Sequence, residues 1–471
     1  MYSIKTAPCI IPRFLVSIFR AIKRGLFYLL FNLITATNIT KPIQYFLKSN
    51  FLSYRVFPHG LIVICLFISG CLDSEKHQHS SPVDPETVQN AVLSVVGRAN
   101  YELARPHSIL ITPDHRKEFR RGEYVSLATY WWPDADPGKG LPYIRKDGRV
   151  NPETMTDQSN LPQLIRMARR IEVFSAAYRF TGNEIYAKRA VEQLQIWFFD
   201  PKTSMLPHLE HAQLIRGVNS GRSYGVIDGW WLVRVADSIP LLKSSSAWSS
   251  ETDRRLKAWF THYINWLTNS SFGIQEKNQK NNHGTWYDVQ IVTFARYLDW
   301  DQFVSSYLDS VTRDRVSEQI LFSGKQRFEA SRTRPEHYSI YNLYGLLKLA
   351  RIARENGIDI TEQDYLFSGN LRKAYQALTH QVGRQNPASF TKKFDETDTA
   401  RIWYLLLIEA HLLFDEPATL KNLERFAARF PELHSRYMSA YPEIVFKMIN
   451  QGEKNYASTV SSSNIPSSLL R

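Results

Sequence analysis

Apolar residues in the middle of the chain recur three or four positions apart. Leu161, Leu164, Ile165, Ala168, Ile171, Phe174 and Tyr178 form one such stripe, the spacing that lines a single face of an α-helix. Thr181-Gly182-Asn183 interrupts it, and Ala187, Ala190, Val191, Leu194 and Trp197 resume it. The pair predicts an antiparallel helical hairpin. The pattern starts near Thr87 and returns at about 226–242, 251–268, 285–298, 337–353, 362–381 and 400–414, while strand-type alternation is scarce. An all-α protein is expected, with helical hairpins in two layers, as a solenoid or closed into an α/α toroid. The lack of a repeat of fixed period argues against the solenoid.

Two connections are longer and more particular than a helical hairpin needs. Thr129 to Glu153 sets Tyr130, Trp131 and Trp132 beside prolines, glycines and an Asp147-Gly148 turn. These aromatics either offer flat faces to sugar rings or simply cover the end of the helical barrel. His208 to Asp228 carries Gln213, Arg216, Asn219, Arg222 and Tyr224 among three glycines, a composition that suits a cleft wall.

Asn281, Asn282 and His283 end a polar run and precede the helical pattern that includes Trp286. Unpaired N–H groups and the positive end of the helix dipole favour an anion there, although asparagine at a helix start is often only a cap. Arg334, His337, Tyr338 and Tyr341 stand at i, i+3, i+4 and i+7, so a helix gathers them on one face. The opposite face holds Ile340, Leu343, Leu347 and Ala350 and supplies the buried stripe. Amide, imidazole and guanidinium donors suit a carboxylate, and a phenol beside an arginine suits proton transfer. Together these features point to a carboxylated sugar.

With 44% hydrophobic and 13% aromatic residues, the 471-residue chain can bury a large core. Its formal charge of +13 is concentrated at one end, because residues 1–70 hold eight Lys or Arg and no acid. The remainder is 50 basic against 45 acidic residues, and no basic helix or RNA-binding aromatic motif marks a nucleic-acid partner. Leu61 to Gly70 is a short apolar core ending at Ile68-Ser69-Gly70-Cys71, too short to span a bilayer. It resembles a bacterial lipoprotein signal. That resemblance implies cleavage before Cys71, acylation of its sulfur as a membrane anchor, and a place in the periplasm or cell envelope, on the outer membrane. The other cysteines, Cys9 and Cys65, leave with the leader, so no disulfide or thiolate metal site is expected in the body. Residues 1–70 are expected as a leader, with an uncleaved anchor or a buried segment as the alternative, and the second apolar, basic stretch around Phe14 to Ile34 is either an anchor or the product of a start set too far upstream; 71–86 are expected as a tether, 87–450 as the helical domain and 451–471 as a disordered, Ser-rich tail.

The two clusters, Asn281-Asn282-His283-Gly284 and Arg334-x-x-His337-Tyr338-x-x-Tyr341, make the chain similar to the alginate lyase family. The Trp-Pro-Asp loop, the pattern from Pro142 to Asn151 and the stretch from Gln213 to Arg222 add to the likeness, which runs from about residue 90 to 415. Thr285-Trp286-Tyr287-Asp288 and the lipobox leader depart from better-known members. The resemblance implies an incomplete α/α toroid, a barrel of helical hairpins with long aromatic loops over a central cleft. It also implies β-elimination on an anionic uronate polysaccharide, alginate or mannuronan or glucuronan, without a cofactor. Asn282, His283 and Arg334 would bind or neutralise the carboxylate, Tyr341 would move protons, and His337 would orient it or act as the base. Tyr130, Trp131, Trp132, Gln213, Arg222, Tyr224, Asn281, Trp286 and Tyr338 would line the substrate.

Two other classes compete. A glycoside hydrolase on a similar toroid needs two facing carboxylates, and Asp147, Glu210, Asp228, Asp288 and Glu336 show no pairing by spacing. A non-catalytic sugar-binding lipoprotein has little use for Tyr341. His208 and His211 lack a zinc-ligand spacing, so no metal is expected.

Overall fold

The computed structural model describes residues 85–110, 118–134, 136, 140–361, 369–384, 398–414 and 416–429. The leader, most of the tether and the carboxy-terminal tail lie outside them. The first helix already begins at Pro85, inside the segment expected as tether.

Helices dominate: α1 (Pro85–Leu103), α2 (Leu161–Thr181), α3 (Glu184–Phe198), α4 (Trp230–Ser238), α5 (Ser250–Asn269), α6 (Ser271–Lys277), α7 (Asn282–Tyr297), α8 (Asp301–Tyr307), α9 (Arg313–Gln319), α10 (Pro335–Glu355), α11 (Leu371–Arg384), α12 (Asp398–Phe414) and α13 (Pro417–Arg429). The protein is all-α, and the hairpin expected at 161–197 is α2 and α3. Gly182 ends α2 with φ +65°, and the Asn183 side chain caps α3 by accepting from the Ile185 N–H, which is why the stripe breaks there. The short helices α6, α8 and α9 escaped the periodicity, because seven residues make only two turns.

Neighbours in space run α2, α4, α7, α10, α12, and the outer helices pack against this inner series. The inner helices are correspondingly apolar on more than one face: α7 buries Trp286, Tyr287, Val289, Ile291, Val292, Phe294 and Ala295. Their packing forms one continuous core from Val92 to Phe426. Ile340, Leu343, Leu347 and Ala350 are fully buried on α10, as their stripe requires. No helix among the described residues is long and apolar enough to cross a membrane.

The segment from Thr129 to Glu153 is more ordered than an irregular loop. Strands β2 (Trp131–Asp134) and β3 (Gly140–Arg145) form an antiparallel hairpin, while β1 (Val125–Leu127) pairs in parallel with β4 (His211–Leu214). Alternation could not reveal β2, all four of whose residues are half-buried. The Asp147-Gly148 turn that follows β3 lies on the loop that precedes α10. Gly148 has φ +75°, and a side chain there would come within 3.3 Å of the Thr333 hydroxyl.

Close approach of α7 and α10 depends on Gly345, where an added Cβ would stand 2.9 Å from the Thr285 methyl and 3.3 Å from the Trp286 ring. Overpacking at such a point costs about 1–3 kcal/mol. Gly345→Ala is expected to lose that much stability in urea unfolding; an unchanged midpoint would show that the two helices do not need this contact.

Candidate active site

The amino-terminal ends of three inner helices meet. Trp230 opens α4, Trp286 lies in the second turn of α7, and Tyr341 lies in the second turn of α10. The Trp286 and Tyr341 rings stack with centroids 4.9 Å apart, and Trp230 meets both edge-on, at 5.5 Å and 6.2 Å. The Trp286 indole N–H donates to the Tyr341 carbonyl at 3.2 Å. Tyr341 itself is only half-buried. Trp286 is fully buried, so the expectation that it contacts substrate is corrected: it is the floor beneath Tyr341, held there because a large ring next to Gly345 can pack completely.

One turn before Trp286, His283 is half-buried. Its Nδ1 is 2.6 Å from Oε1 of the fully buried Glu276, and its ring meets Tyr224 edge-on at 4.7 Å. Tyr224 is exposed and also lies 5.0 Å beneath the Arg222 guanidinium.

Asn282 is buried, and both its backbone N–H and its side-chain amide donate to the Glu329 carboxylate, at 2.6 Å and at 3.0 and 3.1 Å. A protein carboxylate thus occupies the helix amino terminus expected for the substrate anion. Burial pushes the Glu329 carboxyl above its ordinary range, opposed by its bonds to Asn282. Asn281 is the cap: its side-chain oxygen accepts from the His283 N–H at 3.1 Å. The bland reading of that asparagine is the one realised.

Gln213, half-buried, supports Arg222. Its amide nitrogen donates to Asp228 at 3.2 Å, while its side-chain and backbone oxygens accept from Arg222 at 3.0 and 3.1 Å. Both ends of the amide are therefore committed, and the residue sits at φ +49°, a left-handed conformation that a non-glycine residue adopts only under such constraint. Asp228 is buried and also accepts from Tyr124 and Ser126; burial pushes its carboxyl up. Arg222 is thereby aimed from below by a chain running Asp228, Gln213, Arg222.

Arg334 is the residue before α10, and Pro335 takes the first helical position. Arg334 and His337 both reach Thr399 on α12, at 3.4 Å from the guanidinium and 2.7 Å from the imidazole Nδ1. Tyr338 is buried and donates to the Tyr130 hydroxyl at 2.6 Å, with the Arg332 guanidinium 3.9 Å over its ring. Burial first, and then Tyr130, push the Tyr338 hydroxyl well above the ordinary phenol range, so it stays neutral. The shared face on α10 therefore fans out: Tyr338 meets the hairpin, His337 meets α12, and Tyr341 meets α7.

Trp131 packs on the small cluster of Ala128, Tyr143 and Ile215. The Trp132 indole donates to the Arg149 carbonyl under the Lys146 ammonium. Both are half-buried within the hairpin and are not brought onto the Tyr341 stack. The acids that a hydrolase would use are engaged elsewhere: Asp288 is buried against Arg315 and Tyr307, and Glu210 accepts from Trp266. His211 is on β4 with Nδ1 on the Ser220 carbonyl, not on a helix with His208. Sequence reasoning missed Glu276, Glu329, Thr399 and Trp230. Glu276 lies in the polar run before His283, whereas Glu329 and Thr399 carry no local signal.

A family model described as alginate lyase matches residues 114–390. The chain is 31% identical to an alginate lyase from Bacteroides ovatus, covering 75% of this chain and 93% of that one with a TM-score of 0.66. It is also similar to alginate lyase A1-III from Sphingomonas species A1, at 15% identity over 70% of this chain and 91% of that one, with a TM-score of 0.44. No curated protein matches it. The match over most of the helical body shows that the chain belongs to the alginate lyase family and is a polysaccharide lyase.

Proposed function

We propose that this lyase cleaves a uronate-containing polysaccharide of the alginate or mannuronan type, or glucuronan, by β-elimination at the cleft over Tyr341. The observation that carries the reading is the placement of Tyr341: half-buried, on the helix that Arg334 introduces, and stacked on Trp286, which itself stands one turn of α7 after His283.

Arg334, His283 and Arg222 face the substrate carboxylate and stabilise the charge that develops when C5 loses its proton. In mannuronate and glucuronate the C5 hydrogen and the C4 oxygen lie on the same side, so one group serves both ends. Tyr341 as phenolate takes the C5 proton, the C5–H electrons form the C4–C5 double bond, the C4–O bond breaks, and the phenol returns its proton to the leaving oxygen. A free phenol ionises near pH ~10, so generating a phenolate at neutral pH costs roughly 4 kcal/mol, which adjacent cations offset. Tyr338 is unsuited to this task because its hydroxyl is already bonded to Tyr130 and resists ionisation. His337, tied to Thr399, orients the α10 face. Exposed Tyr224 gives a flat face for a neighbouring sugar. Alginate is favoured by the Bacteroides ovatus relative, itself an alginate lyase.

The lipobox-like Ile68-Ser69-Gly70-Cys71 supports a place in the periplasm or cell envelope of a bacterium, with acylation at Cys71 and anchoring to the outer membrane. Cys71→Ser is expected to move the expressed chain out of the membrane fraction and to abolish palmitate labelling; retention of label would discard the anchor.

Incubation with mannuronan, guluronan, glucuronan and mixed alginate tests the reaction. An ultraviolet absorbance rise from the unsaturated uronate is expected with at least one polymer, and cleavage without that rise would mean hydrolysis. Tyr341→Phe is expected to lower kcat at least ~10³-fold with KM within a fewfold. Equal loss of binding and turnover would remove Tyr341 from the chemistry.

A further inference from the structure

Glu276 has no part in the scheme above, yet it is among the most unusual side chains near the site. It is fully buried at the carboxy-terminal end of the short helix α6. Oε1 lies 2.6 Å from His283 Nδ1, and Oε2 has no hydrogen-bond partner among the described residues. Burying a carboxylate with one oxygen unbonded is costly. A side chain kept only for packing would be replaced without loss by an apolar one, so the arrangement calls for a reason connected with His283.

We propose that Glu276 is the positioning residue of His283. A carboxylate can only accept, so Nδ1 carries its hydrogen in either charge state of the ring. Nε2 is then the nitrogen presented to the uronate, in a ring plane fixed by Glu276 at Nδ1 and by Tyr224 in edge-on contact at 4.7 Å. The logic is that of a buried carboxylate orienting a functional imidazole from behind.

The surroundings support orientation rather than supply of charge. The groups facing His283 are Glu276 from α6, Tyr224 with Arg222 above it from the segment before α4, and Glu329, whose charge reaches His283. Glu276 is bonded to the imidazole and Glu329 acts on it only through its charge, so the groups next to His283 among the described residues include acids and Arg222 but no other base bonded to its ring. In the proposed reaction, attraction of the anionic polymer falls to Arg334 and Arg222, and His283 contributes one directed nitrogen.

This inference rests on the reading that His283 meets the substrate, and the tests separate the two. In Glu276→Gln the shape is kept, but the carboxamide can donate to Nδ1 and so admit the wrong tautomer. The expected loss is roughly 10²- to 10⁴-fold in kcat, with KM changed by less than about tenfold. Glu276→Asp, which keeps the acceptor-only carboxylate, is expected to recover at least about tenfold of that loss. Nitrogen-15 spectra of the histidines in the full chain, with His283 assigned by its disappearance in His283→Asn, are expected to show a protonated Nδ1. Wild-type kcat in a folded Glu276→Gln enzyme, or an unprotonated Nδ1 in the wild type, would overturn the proposal. The wild-type spectrum decides even when the Glu276 variants do not fold. Absence of uronate cleavage by the unaltered enzyme would instead strike the functional reading and leave the spectroscopic result standing.

Discussion

The stack of Trp230, Trp286 and Tyr341 is the contact on which the site depends. Each ring comes from a different inner helix, and each sits near that helix's amino-terminal end. Aromatic pairs in edge-on or offset geometry contribute about 0.5–1.5 kcal/mol beyond the area they bury. More important here is that they set the relative height of α4, α7 and α10. Trp286 fits only because position 345 lacks a side chain, and its indole N–H is then spent on the Tyr341 carbonyl. A shift of α10 along α7 would break the hydrogen bond and the stack together, so the Tyr341 hydroxyl is located by core packing rather than by a loop.

Behind this wall lies a layer of carboxylates that hold the polar side chains. Glu329 takes both donors of Asn282, Glu276 takes the imidazole of His283, and Asp228 takes the amide of Gln213, which in turn holds Arg222. Each acid is buried, so each bond forms where water does not compete and where leaving it unmade would cost about 1–3 kcal/mol. The acids cannot attract a polyanion. They fix side chains, and in the proposed reaction the attraction falls to the cationic groups Arg222 and Arg334.

Much of the fold was legible because hairpins such as α2 and α3 repeat their apolar residues at helical spacing and end on Gly182 and Asn183. Part of the α10 face was legible for the same reason: once Ile340, Leu343 and Leu347 are assigned inward, His337 and Tyr341 must lie on the other side, while Arg334 stands just before the helix with a non-helical backbone. What stayed hidden depends on contacts between segments far apart in the chain. Asn282 meets Glu329 across 47 residues, His337 meets Thr399 across 62, and Tyr338 meets Tyr130 across 208. Nothing in local spacing separates a Trp286 that faces sugar from one that faces Gly345. The β2–β3 hairpin was hidden for a different reason, since its first strand has no inward and outward alternation to read.

The hairpin and the helical wall differ in how they are held. The wall is one continuous apolar core. The β2–β3 segment instead touches α10 through the Tyr130–Tyr338 hydroxyl pair and the loop before α10 through the Gly148 turn against Thr333, and its apolar cluster among the described residues is Ala128, Tyr143, Ile215 and Trp131. Hydroxyl contacts of this kind contribute about 0.5–1.5 kcal/mol each, far less than a buried helix face. Elements with few apolar contacts open at lower free energy than the core around them. The base that carries Tyr341 and His283, the groups proposed to react, is therefore held mainly by apolar packing, whereas the hairpin is held mainly by hydrogen bonds such as those of Tyr143 to Arg216 and Glu153 and of Asn151 to the Trp131 carbonyl.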